Sequence, residues 1–364
     1  MSKVVILGSN FAGIDVALRL RKLSKDCQIV VIDKNSFTEF YPSVHKILSA
    51  QRDPKDLQIN LMDVYSRNNI EFVQDIAVSI DPKTNTVKGK KAKYSYDYLV
   101  NCVGACANYY GIKGAEKFSM PFKTSHDALA IKEKIINLEE KDKYSIAIAG
   151  SGLTGIELAF ELQVYLKNIA KKADIHIVEV MPAIAPWANP KTQAYLKKIM
   201  AKDGMIIHES FKIAKVEENK IINDQKTAID FDLLIWCAGL GVNNLAGKSG
   251  IAMDGKGIIV DSKLRSTSNP NIFGAGDAIS IDKLSCPKTA HFSLEHAKIV
   301  SYNINAQMKG LMLKDFILKP SPALVSLGKN GSIFVHKNTL IAHPAWFFEL
   351  CKNTIEWDWI RSRN

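Results

Sequence analysis

The pattern of apolar and polar positions along this chain states one arrangement twice. Val4-Val5-Ile6-Leu7 is an unbroken apolar run, as expected of a strand buried on both faces. The turn Gly8-Ser9-Asn10-Phe11-Ala12-Gly13 follows, then an amphipathic helical stretch through Leu20, then the strand Ile29-Val30-Val31-Ile32 ending on Asp33. The same order returns at Ser145-Ile146-Ala147-Ile148-Ala149. There the turn is Gly150-Ser151-Gly152-Leu153-Thr154-Gly155, the helix runs through Leu166, and the strand Ile175-His176-Ile177-Val178 ends on Glu179. Strand, glycine turn, helix, strand and acid make a βαβ dinucleotide-binding unit. Two further strands that end in glycine, Asp97–Gly104 and Asp232–Gly239, would each close one unit.

The intervening segments set the domain plan. Ile70–Ile80 and Thr86–Tyr94, around the polar turn Asp81-Pro82-Lys83-Thr84-Asn85, read as β-meander. A boundary is expected near Gly111-Ile112-Lys113-Gly114, before a long helix from Asp127 to Leu138, and another near Asp254-Gly255-Lys256-Gly257. The fold expected is α/β: two nested Rossmann-like units, each three-layered (ββα), plus a short C-terminal region. Residues 1–110 and 255–320 would form a discontinuous first domain, 111–254 the second, and 321–364 a hairpin (Leu324 to Val335) with an aromatic tail. In that tail Trp346, Leu350, Trp357 and Ile360 share one helical side, with Lys352, Arg361 and Arg363 alongside. Such a helix suits either a membrane interface or docking on its own protein or a dimer mate.

Composition narrows the partners. At 364 residues the chain can bury two cores, and with 47% hydrophobic and 23% charged residues disorder is not indicated. A net charge of +11 suits a polyanionic cofactor, anionic lipid or nucleic acid. The densest basic run, Lys88, Lys90, Lys91 and Lys93, has no interleaved aromatics, which argues against nucleic acid. None of the six cysteines forms a CxxC, so neither a zinc ribbon nor a redox dithiol is written here. With unpaired cysteines, no signal-peptide pattern and no apolar run near the roughly 18 residues of a spanning helix, a cytoplasmic protein is expected, peripheral on the membrane at most.

The second turn carries the full GxGxxG pattern: Gly150 for the tight turn, Gly152 for close approach to a pyrophosphate, Gly155 for helix-on-strand packing. The helix N-terminus adds free N–H groups and a positive dipole end. Glu179 would accept hydrogen bonds from ribose hydroxyls and repel a 2′-phosphate, so NADH is expected over NADPH; the plainer option is a solvent-facing strand-end acid. The first turn departs from the pattern, because Asn10 stands at the second glycine and brings a Cβ into the pyrophosphate's path. Asp33 restores the ribose-binding acid. Asn271-Ile272-Phe273-Gly274-Ala275-Gly276-Asp277-Ala278 points to FAD in the first unit, with Asp277 placed for a ribityl chain.

Together these motifs resemble the type II NADH:quinone oxidoreductase family from residue 3 to about 300. Particularly similar are Tyr96–Val100, Tyr110–Gly114, Pro121-Phe122-Lys123-Thr124 with Asp127-Ala128-Leu129, and Gly152–Ala159. The resemblance implies FAD held by Gly8, Asn10, Ala12, Gly13, Asp33, Lys34, Pro42, Ala77, Gly104, Gly276, Asp277 and Ala290. It implies NADH at Gly150, Gly152, Leu153, Thr154, Gly155, Glu179, Ala238 and Gly239, and a quinone or other two-electron acceptor. Phe40-Tyr41-Pro42 matches a loop near the flavin ring. Glu157 would lie beside the flavin or at the quinone entrance, and Lys329 joins it as a catalytic candidate. His291 replaces a family glutamine; it could hydrogen-bond a quinone carbonyl and carry a proton, or bond only locally. No metal site is expected, since His291 and His296 are five residues apart, a poor helical register. A homodimer is left open. Cys286-Pro287-Lys288-Thr289 resembles the sulfide:quinone oxidoreductase branch, in which Cys286 would need Cys102 or Cys106 as partner. An apoptosis-factor-like NADH sensor without turnover is a third option.

Overall fold

The computed structural model describes residues 1–363, apart from the Lys248 side chain. Two five-stranded, all-parallel sheets carry the chain, and their strand orders correspond. The first runs 272–274, 98–101, 3–7, 28–33, 71–74; the second runs 120–121, 233–236, 144–149, 173–178, 206–208. In the first sheet Leu7 pairs with Ile32 on one side and Asn101 on the other; in the second Ala149 pairs with Val178 and Trp236. The glycine turns therefore leave the same edge of each sheet, between the same neighbours. Val4, Val5, Ile6 and Leu7 are fully buried, because such a sheet is covered on both faces.

Each sheet carries an antiparallel meander, 77–81/86–89/93–95 on the first and 213–217/220–223/228–230 on the second. This corrects one expectation. Glu71–Gln74 does not belong to the meander but adds the outer parallel strand, pairing Val30 with Glu71. An apolar run of four residues cannot say which sheet will take it. The second meander escaped the sequence reading. Two short strands, Ala105–Ala107 and Leu240–Val242, pair antiparallel where the chain passes between the units.

The helix expected from Asp127 runs from Ser125 to Ile136, with Thr124 and Asp127 forming a capping box. The C-terminal hairpin gains a third strand, 323–326/332–336/339–341, before the tail helix Ala345–Arg361. No described helix is long and apolar enough to cross a membrane.

Candidate active site: two glycine turns and the cluster between them

The two turns are built alike. Gly8 and Gly150 have φ of +88° and +97°, and a Cβ on either would strike the backbone of the closing strand's exit, at Cys102 and Ala238 respectively. A Cβ on Gly13 or Gly155 would run into the carbonyl of Gly8 or Gly150. The first and third glycines are thus required by the protein itself. Gly152 is different: its φ is −61° and an added Cβ would meet nothing within 4 Å. Open space at a glycine that the backbone does not need suits a ligand. Beside it, the N–H groups of Leu153 and Thr154 find no acceptor among the described residues, nor do those of Ala12 and Gly13 in the first turn.

Asn10 resolves the departure in the first turn. Its φ is −99°, so no left-handed conformation is asked of it. Its Oδ1 accepts from the Phe11 N–H at 2.8 Å, and its Nδ2 donates to Thr38 Oγ1 at 2.7 Å and the Glu39 carbonyl at 3.0 Å. The amide is thus tied sideways to residues 38–39.

The strand-end acids also correspond. Asp33 accepts from the Ser9 N–H at 2.7 Å and the Asn35 N–H at 2.9 Å. Glu179 accepts from Ser151 N–H and Met181 N–H, both at 2.9 Å, and from the Ser151 hydroxyl at 2.5 Å. Glu179 is 5% exposed, which rules out a solvent-facing strand end. Burial raises the Asp33 pKa against these backbone donors.

The exits of strands 3–7, 98–101 and 272–274 bring Gly8, Gly104 and Gly276 side by side. Gly276, at φ +70°, lies so close to Ala12 that a Cβ would come within 3.2 Å of the alanine's own. The Asp277 carboxylate accepts no hydrogen bond from any described side chain or N–H; burial raises its pKa, opposed by the nearby charges of Lys123 and Lys288. Lys123, whose own pKa burial lowers, donates to the Ala105 carbonyl at 2.6 Å, and Lys288 to the Asp277 carbonyl at 2.6 Å. An unbonded carboxylate, two sets of free N–H groups and a cationic rim fit a dinucleotide with a ribityl chain. The residues present therefore fit FAD in the first unit and a pyridine nucleotide in the second. Ala290 opens the helix Ala290–Met308, Pro42 is the second residue of the 3₁₀ turn Tyr41–Ile47, Ala77 starts the first meander opposite Gly89, and Lys34 is exposed. Gly239, at φ +135°, packs against Tyr110 beyond Ala238.

The catalytic candidates separate. Glu157 is 8% exposed; its carboxylate accepts from the Ser326 N–H at 3.0 Å and from Lys352 Nζ, with His45 Nδ1 3.6 Å away. Lys329 is a correction. Its ammonium pairs with Asp203 at 2.8 Å on the surface, and the lysine that meets Glu157 is Lys352, which the sequence reading had put beside the tail's outer stripe. Only the packing of the tail could show this. His291 is exposed on the first turn of its helix, edge-on to Phe292, with no hydrogen bond among the described residues.

His296 is the histidine that sequence reasoning passed over. It is 3% exposed; its Nδ1 accepts from the Gly276 N–H at 3.2 Å and its Nε2 faces Cys286 Sγ at 3.7 Å. Burial pulls its pKa down to about 4. The spacing of Phe292, His296 and Val300 at i, i+4 and i+8 was the available signal. No group of three or more metal-ligating side chains exists among the described residues.

Cys102 and Cys237 occupy matching places, each packed over its unit's third glycine, and burial pushes both thiols up to about 12. Cys102 is thus a spacer between helix and strand, and all six cysteines are free.

A chain with two parallel sheets of equal order, each ending in a glycine turn and a caged acid, is a two-dinucleotide-fold oxidoreductase. Residues 2–299 match the pyridine nucleotide-disulphide oxidoreductase family, and the chain belongs to it. An NADH oxidase of Methanocaldococcus jannaschii is 29% identical over 303 residues, 79% of this chain and 65% of that one. A type II NADH:quinone oxidoreductase of Staphylococcus epidermidis is 24% identical, across 91% of this chain and 89% of its own. The sulfide:quinone oxidoreductase of Aquifex aeolicus superposes with a TM-score of 0.88 at 21% identity, over 100% of this chain and 92% of the other.

Proposed function

We propose that this chain is an FAD-dependent NADH dehydrogenase that passes two electrons to a quinone, without pumping protons. The observation that carries this is the second turn, where Gly152 faces open space beside a Glu179 held by Ser151 and Met181. The arrangement leaves a pyrophosphate free N–H donors and sets an acid where a 2′-phosphate would meet a like charge. When bound, FAD supplies the two-electron chemistry, taking hydride from NADH and returning electrons to the acceptor. The protein's part is to hold two cofactors at fixed separation. Gly8, Gly13, Gly276 and Asp277 seat one, Gly150 to Gly155 with Ala238 and Gly239 seat the other, and the paired strands 105–107 and 240–242 join the two seats.

Glu157, buried and paired with Lys352, would serve at the flavin or the quinone entrance, and exposed His291 would meet an acceptor's carbonyl. The tail helix presents Trp346, Phe347, Leu350 and Trp357 outward, with Arg361 over the Trp357 ring at 4.6 Å. We assign that face to an anionic membrane surface; co-sedimentation with acidic vesicles that persists in Trp346→Ser/Trp357→Ser would remove the assignment.

The test of the main reading is the visible spectrum of the purified chain, followed by separate additions of NADH, NADPH and sulfide. A flavin spectrum bleached by NADH in preference to NADPH and sulfide is expected. Bleaching by sulfide alone would transfer the reading to sulfide oxidation.

A further inference from the structure

The tail helix is built with its charges inward. Phe348, Lys352, Glu356 and Trp359 are its buried residues. Lys352 meets Glu157, Glu356 meets Arg52 at 2.5 Å, and Glu349 meets Lys46 at 2.5 Å. Buried ions of this kind give little net stability over apolar packing, so they do not explain why the helix sits where it does.

Its C-terminal end reaches the flavin unit. The Trp359 ring lies 4.7 Å from that of Phe11 and 5.5 Å from that of Phe40, which are themselves 5.6 Å apart. One turn on, the Arg363 guanidinium stacks on Trp359 at 4.9 Å and donates to Asp15 Oδ1 at 3.0 Å. Arg19 holds the other Asp15 oxygen at 2.5 Å. Phe11 and Asp15 are i and i+4 on the helix Phe11–Leu23; Trp359 lies in the last turn of the tail helix and Arg363 in the turn just past its end. Two residues of the first helix thus face the end of the tail, ring on ring at Trp359 and charge on charge at Arg363. Phe11 is the first residue of the helix whose Ala12 and Gly13 N–H groups stand free.

From this contact we infer that Trp359 and Arg363 are positioning residues of the flavin site. They fix the first turn of the helix Phe11–Leu23, and with it the N–H groups offered to the FAD pyrophosphate. The inference rests on the flavin reading of the first turn. Anion binding by N–H groups depends on their holding position to within about half an ångström, and helix ends fray where little packs against them.

The test uses the full chain loaded with FAD and follows flavin release by fluorescence after dilution, in Trp359→Leu, Arg363→Gln and Glu349→Gln. Glu349→Gln breaks a pair at the other end of the same helix. Release about tenfold faster in Trp359→Leu and Arg363→Gln is expected, with Glu349→Gln within about twofold of wild type. If Trp359→Leu does not fold, Arg363→Gln, with Arg363→Lys as partial rescue, decides alone. Unchanged release in Arg363→Gln overturns the inference. So does release that accelerates in all three variants in step with their urea midpoints, since that marks general loosening. A wild-type chain that takes up no FAD overturns the flavin reading as well; uptake with unaltered release overturns this inference alone.

Discussion

The two glycine turns share a backbone but differ in what they leave open. In the first, the middle position is Asn10, whose side chain is spent on Thr38 and Glu39, and the Ser9 hydroxyl hydrogen-bonds Tyr65. In the second, the middle position is empty at Gly152, and the Ser151 hydroxyl bonds Glu179 while accepting from the Ala185 N–H at 3.0 Å. The first turn is locked to its surroundings by side chains, as befits a resident cofactor. The second keeps its approach clear and puts its side-chain bonding into the acid, as befits a nucleotide that must come and go.

The largest effect is expected at the position where the turns agree. Gly155→Ala forces a Cβ into the Gly150 carbonyl, an overpacking of about 3 kcal/mol that should weaken NADH binding roughly 100-fold. Gly13→Ala should cost FAD retention instead; a variant that loses the wrong cofactor would break the assignment of turns to ligands.

Next comes pH, read first at His296. The His296 pKa is about 4 in the folded protein against an ordinary 6.5. Between those values the unfolded chain binds the extra proton, so stability is whole above pH 6.5 and declines as pH falls toward 4, by about 3 kcal/mol. Urea midpoints measured at pH 7 and 5 should show the decline, and His296→Gln should make it shallower, leaving the share of His45, His176 and His208, whose pKa values burial also lowers. An unchanged slope would place the responsible group elsewhere.

Ser151→Ala removes a donor to Glu179 and the acceptor of Ala185 N–H, worth about 1–3 kcal/mol. NADH affinity should drop about tenfold and the NADH-over-NADPH ratio narrow, as it should in Glu179→Ala; isothermal titration with both nucleotides settles it, and equal losses for the two would sever Glu179 from the choice. Smallest is Asn10→Ala, a lost cap costing about 1 kcal/mol in the urea midpoint. If it costs nothing, the sideways anchoring is incidental.

How much of this was legible beforehand varies by element. The paired units, their glycines and the acids Asp33 and Glu179 follow from local periodicity and turn chemistry, which need only neighbours in sequence. Lys352, Ser151 and His296 were missed as site residues because their partners lie far along the chain, at Glu157, Glu179 and Gly276. Lys329 was chosen where only its contact with Asp203, remote in sequence, could show it to be a surface pair.

The sequence by itself determined that two dinucleotide units exist and where each turn lies, because buried parallel strands and positive-φ glycines admit few other residues. Tertiary structure decided which way Asn10 points, which lysine meets Glu157, and that the chain's last helix comes back to the flavin turn. Those outcomes depend on which distant surfaces exclude water together, and a linear pattern of apolar residues carries no information about which partner a buried charge will find.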